Sequence, residues 1–234
     1  MPSVGRPIPH DSAVGHVTGT AAYIDDLPAI AGELAVDLVG APIACGKVLS
    51  IDATEARELP GVAGIYTFAD LPGKNLWGSV VDDEPFLVEQ RISYLGQPMV
   101  VVAAKSGVLA AQARNLVKIQ CQPSEPILTI DDAITARSWI GPQRKIERGD
   151  VDAAFQSAAH QMEGVFESGG QEQLYFESQA AIVIPDDGKS FKVHSSTQST
   201  SEVQAEVARA LGLGMHQVVC QCARIGGAFG GKET

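Results

Sequence analysis

Residues 34–68 read LAVDLVGAPIACGKVLSIDATEARELPGVAGIYTF, and this stretch decides the fold class. Leu34–Val39 alternates in the period of a half-buried strand, and Lys47–Ile51 is a second short strand. Asp52 stands where a helix N-cap is wanted, with Glu55 three residues on as a capping box, and Ala53–Leu59 carries helix-forming residues up to a stop at Pro60–Gly61. Val62–Phe68 then resumes as a strand. Strand, strand, helix and strand in so short a span predict a compact α/β unit.

Outward from this stretch the pattern continues on both sides. The preceding residues, through about Pro28, are rich in Gly, Pro, Asp and His and predict an extended leader with turns rather than a helix. After it come a Pro/Gly/Asp-rich connection, Pro72–Pro85, carrying Trp77 and Asp82–Asp83–Glu84, and buried strands at Arg91–Tyr94 and Pro98–Ala103. The connection reads as a solvated surface loop. Ser106 caps a helix over Gly107–Asn115, and Leu116–Gln120 is a further strand. The chain becomes irregular around Pro123–Pro126, the first boundary, and Asp131–Ala136 is a short helix. A second region opens at Ile146, with a helix at Val151–Ser157 and a strand at Gln161–Ser168. It continues with a hairpin of Ala180–Ile184 and Phe191–Ser195, an amphipathic helix at Thr200–Leu211 ended by Gly212, and a strand at Gln217–Ala223. The organisation is therefore a leader over 1–18, an α/β domain over 19–126, a linker over 127–145 and a second domain over 146–234. Strands after Ile146 are expected to lack some of their partners and to leave edges exposed.

Composition limits the function. With 45% hydrophobic and 19% charged residues among 234, the chain has the balance of a folded globular protein rather than a disordered one. A net charge of -11 without a basic run argues against nucleic acid and against an anionic membrane surface. The apolar run Met99–Ala104 is too short to span a bilayer, and the N-terminus has no apolar signal region. Cys45, Cys121, Cys220 and Cys222 have no framework spacing and fit a reducing cytoplasm.

Two motifs carry chemistry. Gly226–Gly227–Ala228–Phe229–Gly230–Gly231–Lys232–Glu233–Thr234 places four glycines around one aromatic after a strand. Such a turn lets backbone approach a ligand and presents N–H donors, and with a helix starting after it would cradle an anion or an oxo group. Gly226, Gly231 and Lys232 also match the spacing of a nucleotide-binding P-loop, G-x-x-x-x-G-K-[ST]. Glu233, however, stands where Mg²⁺ needs a hydroxyl, and its carboxylate would repel phosphate. The other motif is Gly169–Gly170–Gln171–Glu172–Gln173–Leu174–Tyr175–Phe176–Glu177, in which Gln171 offers a neutral amide donor suited to an electron-rich oxo ligand.

In this order, G-G-Q-E-x-x-Y-x-E and G-G-x-F-G-G-K-E-T resemble the molybdopterin-binding domain of the xanthine dehydrogenase and aldehyde oxidase family. His16–Val17–Thr18–Gly19–Thr20–Ala21–Ala22–Tyr23–Ile24–Asp25–Asp26 resembles its H-V-T-G-x-A-x-Y-x-D-D entry, and the residues from about Gly19 to Cys121 its α/β hammerhead domain. The implied fold is thus a mixed α/β (α+β) hammerhead followed by the start of a molybdopterin-binding domain. The resemblance implies a molybdenum-pterin hydroxylase that oxidises hypoxanthine and xanthine toward urate, by hydroxide attack and hydride transfer at the molybdenum centre. FAD and 2Fe-2S clusters would be held by a partner subunit or domain. It places Gln171 against a molybdenum oxo ligand, Phe229 and Gly230 with their backbone against the molybdenum centre, neither as a direct protein ligand, and Glu233 on the substrate side as a purine hydrogen-bond partner. Gln173 stands where the family has His. The family's catalytic glutamate lies farther downstream than Thr234, so none of Glu172, Glu177 and Glu233 takes its role and the chain alone is expected to be inactive. The competing readings are a non-catalytic fragment serving assembly, an aldehyde-type substrate range and, most remotely, P-loop-like nucleotide binding.

Overall fold

A run that is apolar at every position, such as Pro98–Ala104, has no face to give to water and must be covered on both sides. The computed structural model, which describes residues 4–78 and 80–233, places it as the middle strand of a sheet. Before it come a short helix α1 (Ala13–Thr18), the strands β1 (Ala35–Gly40) and β2 (Gly46–Asp52), the helix α2 (Thr54–Glu58), and the strands β3 (Val62–Tyr66) and β4 (Arg91–Ile92). The apolar run is β5, followed by the helix α3 (Gly107–Leu116) and the strand β6 (Lys118–Pro123). One antiparallel sheet has the order β1-β5-β3 and a second the order β4-β2-β6. Met99, Val100, Val102 and Ala104 are fully buried, and Ala113 of α3 and Ala56 of α2 close over them without leaving solvent contact. Val48, Ile51, Ile119 and Cys121 of the second sheet join the same core.

Local chemistry sets the helix starts. Ser106 accepts the Leu109 N–H at 3.3 Å and caps α3 as its sequence predicts. At α2 the start falls one residue later than expected, with Ala53 in the capping position. Asp52 accepts the Thr54 N–H at 3.0 Å instead, which holds its carboxyl below the ordinary value, and Glu55 turns away to pair with Lys118. The leader also departs from expectation. It is not wholly extended, since α1 forms over Ala13–Thr18 and ends in Gly19 at φ 73°. Met1–Ser3, the rest of that prediction, lie outside the described residues.

Contacts divide the chain into two units, one of Met1–Ser124 with Gln173–Thr234 and the other of Glu125–Glu172. The second unit holds two short helices, α4 (Ile130–Ala136) and α5 (Val151–Ser157), each opened by a side-chain cap from Thr129 or Asp150. Gln161–Ser168 does not form the strand its alternation predicts; it runs without regular structure, with Met162, Val165 and Phe166 exposed. A strand is stabilised by pairing, and this unit offers no other strand to pair with it.

The remaining part of the first unit builds a third sheet. Strand β7 (Ala181–Asp186) turns through Asp187–Lys189 into β8 (Ser190–Ser195), the hairpin expected from the sequence. Helix α6 (Thr200–Leu211) then returns the chain so that β9 (Val218–Gln221) pairs with β8 in parallel. Parallel neighbours need such a crossover, and Val203 and Val207 of α6 cover Val193 and Val218 below it. The connection Pro72–Pro85 is not simply a solvated loop. Its Gly73 and Lys74 N–H groups donate to Ala210 and Arg209 carbonyls at 3.0 Å, filling the open C-terminal end of α6, and Asp82 pairs with Arg209 at 2.7 Å. Among the described residues no helix is long and apolar enough to cross a membrane.

Replacing Met99, near the start of β5, by Ala leaves a cavity in the core that the two sheets share with α3. Chemical denaturation is expected to show a loss of about 2–5 kcal/mol, with the far-ultraviolet circular dichroism of the folded state unchanged.

Candidate functional site

The glycine-rich turn after β9 is built by its contacts with a segment fifty residues earlier in the chain. Glu177 donates its backbone N–H to the Gly226 carbonyl at 3.1 Å, and its carboxylate accepts the Gly226 N–H at 2.7 Å. The same carboxylate oxygen accepts from the Ser196 hydroxyl at 2.7 Å and from Lys232 Nζ at 3.0 Å. Lys232 is 2% exposed, also donates to Ser196 Oγ at 2.6 Å, and lies over the Tyr175 ring at 4.7 Å from its centroid. A buried ammonium is tolerated only where it is paired and hydrogen-bonded, and here both conditions hold. The glycines are required by this approach. A Cβ on Gly226 would stand 2.5 Å from Glu177 Cβ, and one on Gly231 2.5 Å from the Tyr175 ring.

Around this anchor the turn closes on itself. Gly231 N–H donates to the Ala228 carbonyl at 2.8 Å, while Gln198 Oε1 accepts from Gly230 and Lys232 N–H at 2.9 and 3.3 Å. The Lys232 carbonyl receives the Gln198 N–H at 2.8 Å and the Thr197 hydroxyl at 3.2 Å. Arg224, two residues ahead of the turn, binds Ser12 Oγ and the Ala22 carbonyl at 3.1 and 2.7 Å and ties the leader to the base of the site. Among the described residues, the N–H groups of Gly227, Ala228 and Phe229 have no protein acceptor. Phe229 sits at φ 55° between Gly227 at 101° and Gly230 at 95°, a glycine-rich backbone whose unpaired N–H groups suit an electron-rich group. Its side chain is 78% exposed.

The expected site residues fall in two places. Phe229, Gly230 and Glu233 share the turn and its continuation, with Glu233 exposed; Thr234, which closes the motif, lies outside the described residues. Gln171 belongs to the other unit, where it is exposed and outside any helix or strand. Residues 229–232 form turns, with positive φ at Phe229 and Gly230, and the helix start expected after the glycines would fall on residues 232–234, of which Thr234 lies outside the described residues. Lys232 is buried against Glu177, which removes it from the role of a phosphate-binding P-loop lysine. Glu177, Ser196, Thr197, Gln198 and Gln179, whose amide donates to the Gly231 carbonyl at 3.1 Å, were not singled out as supports of the turn from sequence. Glu177 stood in the first motif, but no local pattern announces partners so distant in the chain.

No group of three or more His, Cys, Asp or Glu side chains able to hold a metal ion occurs among the described residues. A separate cleft of about 420 Å³ is lined by Trp77, Phe86, Val203, Val207, Glu202 and Glu206, and contains none of the expected site residues. Burial there raises the Glu206 carboxyl above its ordinary value.

Burial alone would raise the Glu177 carboxyl, but hydrogen bonds from Gly226, Ser196 and Lys232 and the ammonium charge outweigh it and hold Glu177 below its ordinary 4.5. A depressed pKa contributes stability that is complete above the unfolded value and lost as pH falls through the lower folded one. Acid titration of folding is thus expected to show a component below pH 4.5 that Glu177→Gln removes, followed by the intrinsic fluorescence of the chain. Lys232→Met strands the buried carboxylate and should cost about 3–5 kcal/mol. The double replacement Lys232→Met with Glu177→Gln should cost less than the sum of the two single ones, as read by a double-mutant cycle in urea.

Comparison with known proteins places both parts of the chain in one family. Residues 18–125 match the aldehyde oxidase and xanthine dehydrogenase a/b hammerhead domain, and residues 136–234 match the molybdopterin cofactor-binding domain. The chain is 40% identical over 99% of its length to xanthine dehydrogenase of Blastobotrys adeninivorans, and 40% identical over 98% to aldehyde oxidase 3 of Rattus norvegicus. It spans about 17% of the length of each of these curated relatives. Among solved structures, the aldehyde oxidoreductase of Desulfovibrio gigas superposes with a TM-score of 0.82 at 26% identity, over 98% of this chain and 28% of that one.

Proposed function

The chain belongs to the aldehyde oxidase and xanthine dehydrogenase family, and from that premise we propose that it supplies one side of a molybdopterin site in a purine hydroxylase. The single observation that carries this reading is the glycine turn. Its N–H groups at Gly227, Ala228 and Phe229 are left without protein acceptors, while the donors on either side are consumed by Glu177, Gln198 and Ala228. A turn pinned in this way fits an electron-rich, oxo-bearing group, because its backbone is fixed and three of its N–H donors are unpaired.

When bound, the molybdenum-pterin group would supply the two-electron redox chemistry. Phe229 and Gly230 would hold it with backbone, and Gln171 would donate its neutral amide to an oxo oxygen. Glu233 would accept from or share a proton with a purine ring, orienting the heterocycle and balancing charge that develops on it. A carboxylate at Glu233 favours hypoxanthine and xanthine over aldehydes, which offer no ring N–H to it. In this reading the domains run from a leader over 1–18 through a hammerhead over 19–126 and a linker over 127–145 to the cofactor-binding part from 146. A cytoplasmic partner subunit or domain carrying FAD and 2Fe-2S clusters would take the electrons. No residue of the site is assigned as catalytic base, and the isolated chain is read as inactive.

Produced in a cofactor-making host together with the segments that complete the site, the chain is expected to carry molybdenum by elemental analysis, and purified alone to show no xanthine turnover with an artificial electron acceptor. Turnover by the chain alone would overturn the inactivity, and absence of molybdenum from the completed site would overturn the cofactor assignment. Assayed together with the electron-accepting partner and the remaining catalytic residues, Glu233→Leu should retain molybdenum. It should lower xanthine turnover about 100-fold relative to an aldehyde.

A further inference from the structure

We propose that Gln198 is a positioning residue that fixes the spacing between Phe229 and Glu233 on the glycine turn. The inference rests on the molybdopterin reading and deepens it. Gln198 follows β8 and stands just before α6, so its backbone is anchored by a strand on one side and a helix on the other. Its amide oxygen has two lone pairs, and both are used: one N–H comes from Gly230 and one from Lys232, the donors that flank Gly231. Its own N–H returns to the Lys232 carbonyl, beside the Thr197 hydroxyl. One side chain thereby sets the curl of the three residues that separate Phe229 from Glu233.

Two features of the surroundings make that curl matter. Phe229 is held at φ 55°, a conformation unfavourable for a residue with a Cβ, and it would relax if the next N–H lost its acceptor. Relaxation would rotate the Phe229 N–H, one of the three donors the turn leaves available. The acceptor is also neutral. A carboxylate at the same position would accept both N–H groups equally well, but would set a negative charge beside an electron-rich ligand. Glutamine gives the geometry without the charge.

The test compares the whole 234-residue chain with Gln198→Leu, which keeps the size and removes the acceptor, and Gln198→Glu, which keeps the acceptor and adds charge. Two quantities are measured: amide hydrogen exchange by NMR at Gly230 and Lys232 against Val100 and Val102 of β5, and molybdenum content after production in a cofactor-making host together with the segments that complete the site. Gln198→Leu is expected to speed exchange at Gly230 and Lys232 about 10-fold without changing β5, and to lower molybdenum content about as much. Gln198→Glu is expected to keep exchange slow and still lose molybdenum, a split that a purely structural role would not produce. Unchanged exchange in Gln198→Leu, or molybdenum retained in Gln198→Glu, would overturn the inference. Molybdenum present and equal in the unsubstituted chain and Gln198→Leu would overturn it while leaving the cofactor reading standing. Molybdenum absent from the unsubstituted chain would overturn that reading and this inference with it.

Discussion

The buried pair between Lys232 and Glu177 is the constraint on which the site depends. One carboxylate oxygen gathers an ammonium, a hydroxyl and a backbone N–H, so a single side chain joins the segment before β7, the end of β8 and both ends of the glycine turn. Such a pair need not add much net stability, because removing two charges from water costs about as much as their attraction returns. What it provides is one arrangement of the turn rather than several. Loss of either partner leaves the other buried and uncompensated, and alternative conformations of the turn carry that penalty.

The donors of the turn follow from this anchor. With Gly226 held by Glu177 and with Gly230 and Lys232 held by Gln198, the intervening N–H groups of Gly227, Ala228 and Phe229 are left without protein acceptors. The glycines serve the same end from the opposite direction, since Gly226 and Gly231 lie where any side chain would collide with Glu177 or Tyr175. The third sheet carries the whole assembly, because β8 delivers Ser196, Thr197 and Gln198, and its parallel partner β9 delivers the turn. The connection at Gly73 and Lys74 closes the end of α6, so the hammerhead part and the cofactor-binding part of this unit share a helix terminus.

Much of the fold was readable because its cause is local. The apolar run of β5, the alternation of β1, the serine cap of α3 and the glycine stop of α6 each announce their element within a few residues. Gln161–Ser168 misled for the same reason: alternation states which face would be buried, but a strand also needs a neighbour. Helix α1 was missed because proline and glycine before it outweighed a short run with little propensity. The two motifs of the site were legible, yet the reason they belong together was not. Lys232 meets Ser196 across 36 positions and Glu177 across 55, and no spacing rule reports a contact at that separation. Lysine in the glycine motif therefore suggested phosphate binding, when its charge is spent on holding the turn.

A crystal structure of the chain with molybdopterin bound would test the account most directly. The expected result is the cofactor at the glycine turn, an oxo oxygen within hydrogen-bond distance of the Phe229 N–H, and the Lys232–Glu177 pair unchanged from its present arrangement. A cofactor bound elsewhere, for instance in the cleft of Trp77 and Phe86, or a turn that binds only after Lys232 has left Glu177, would contradict it.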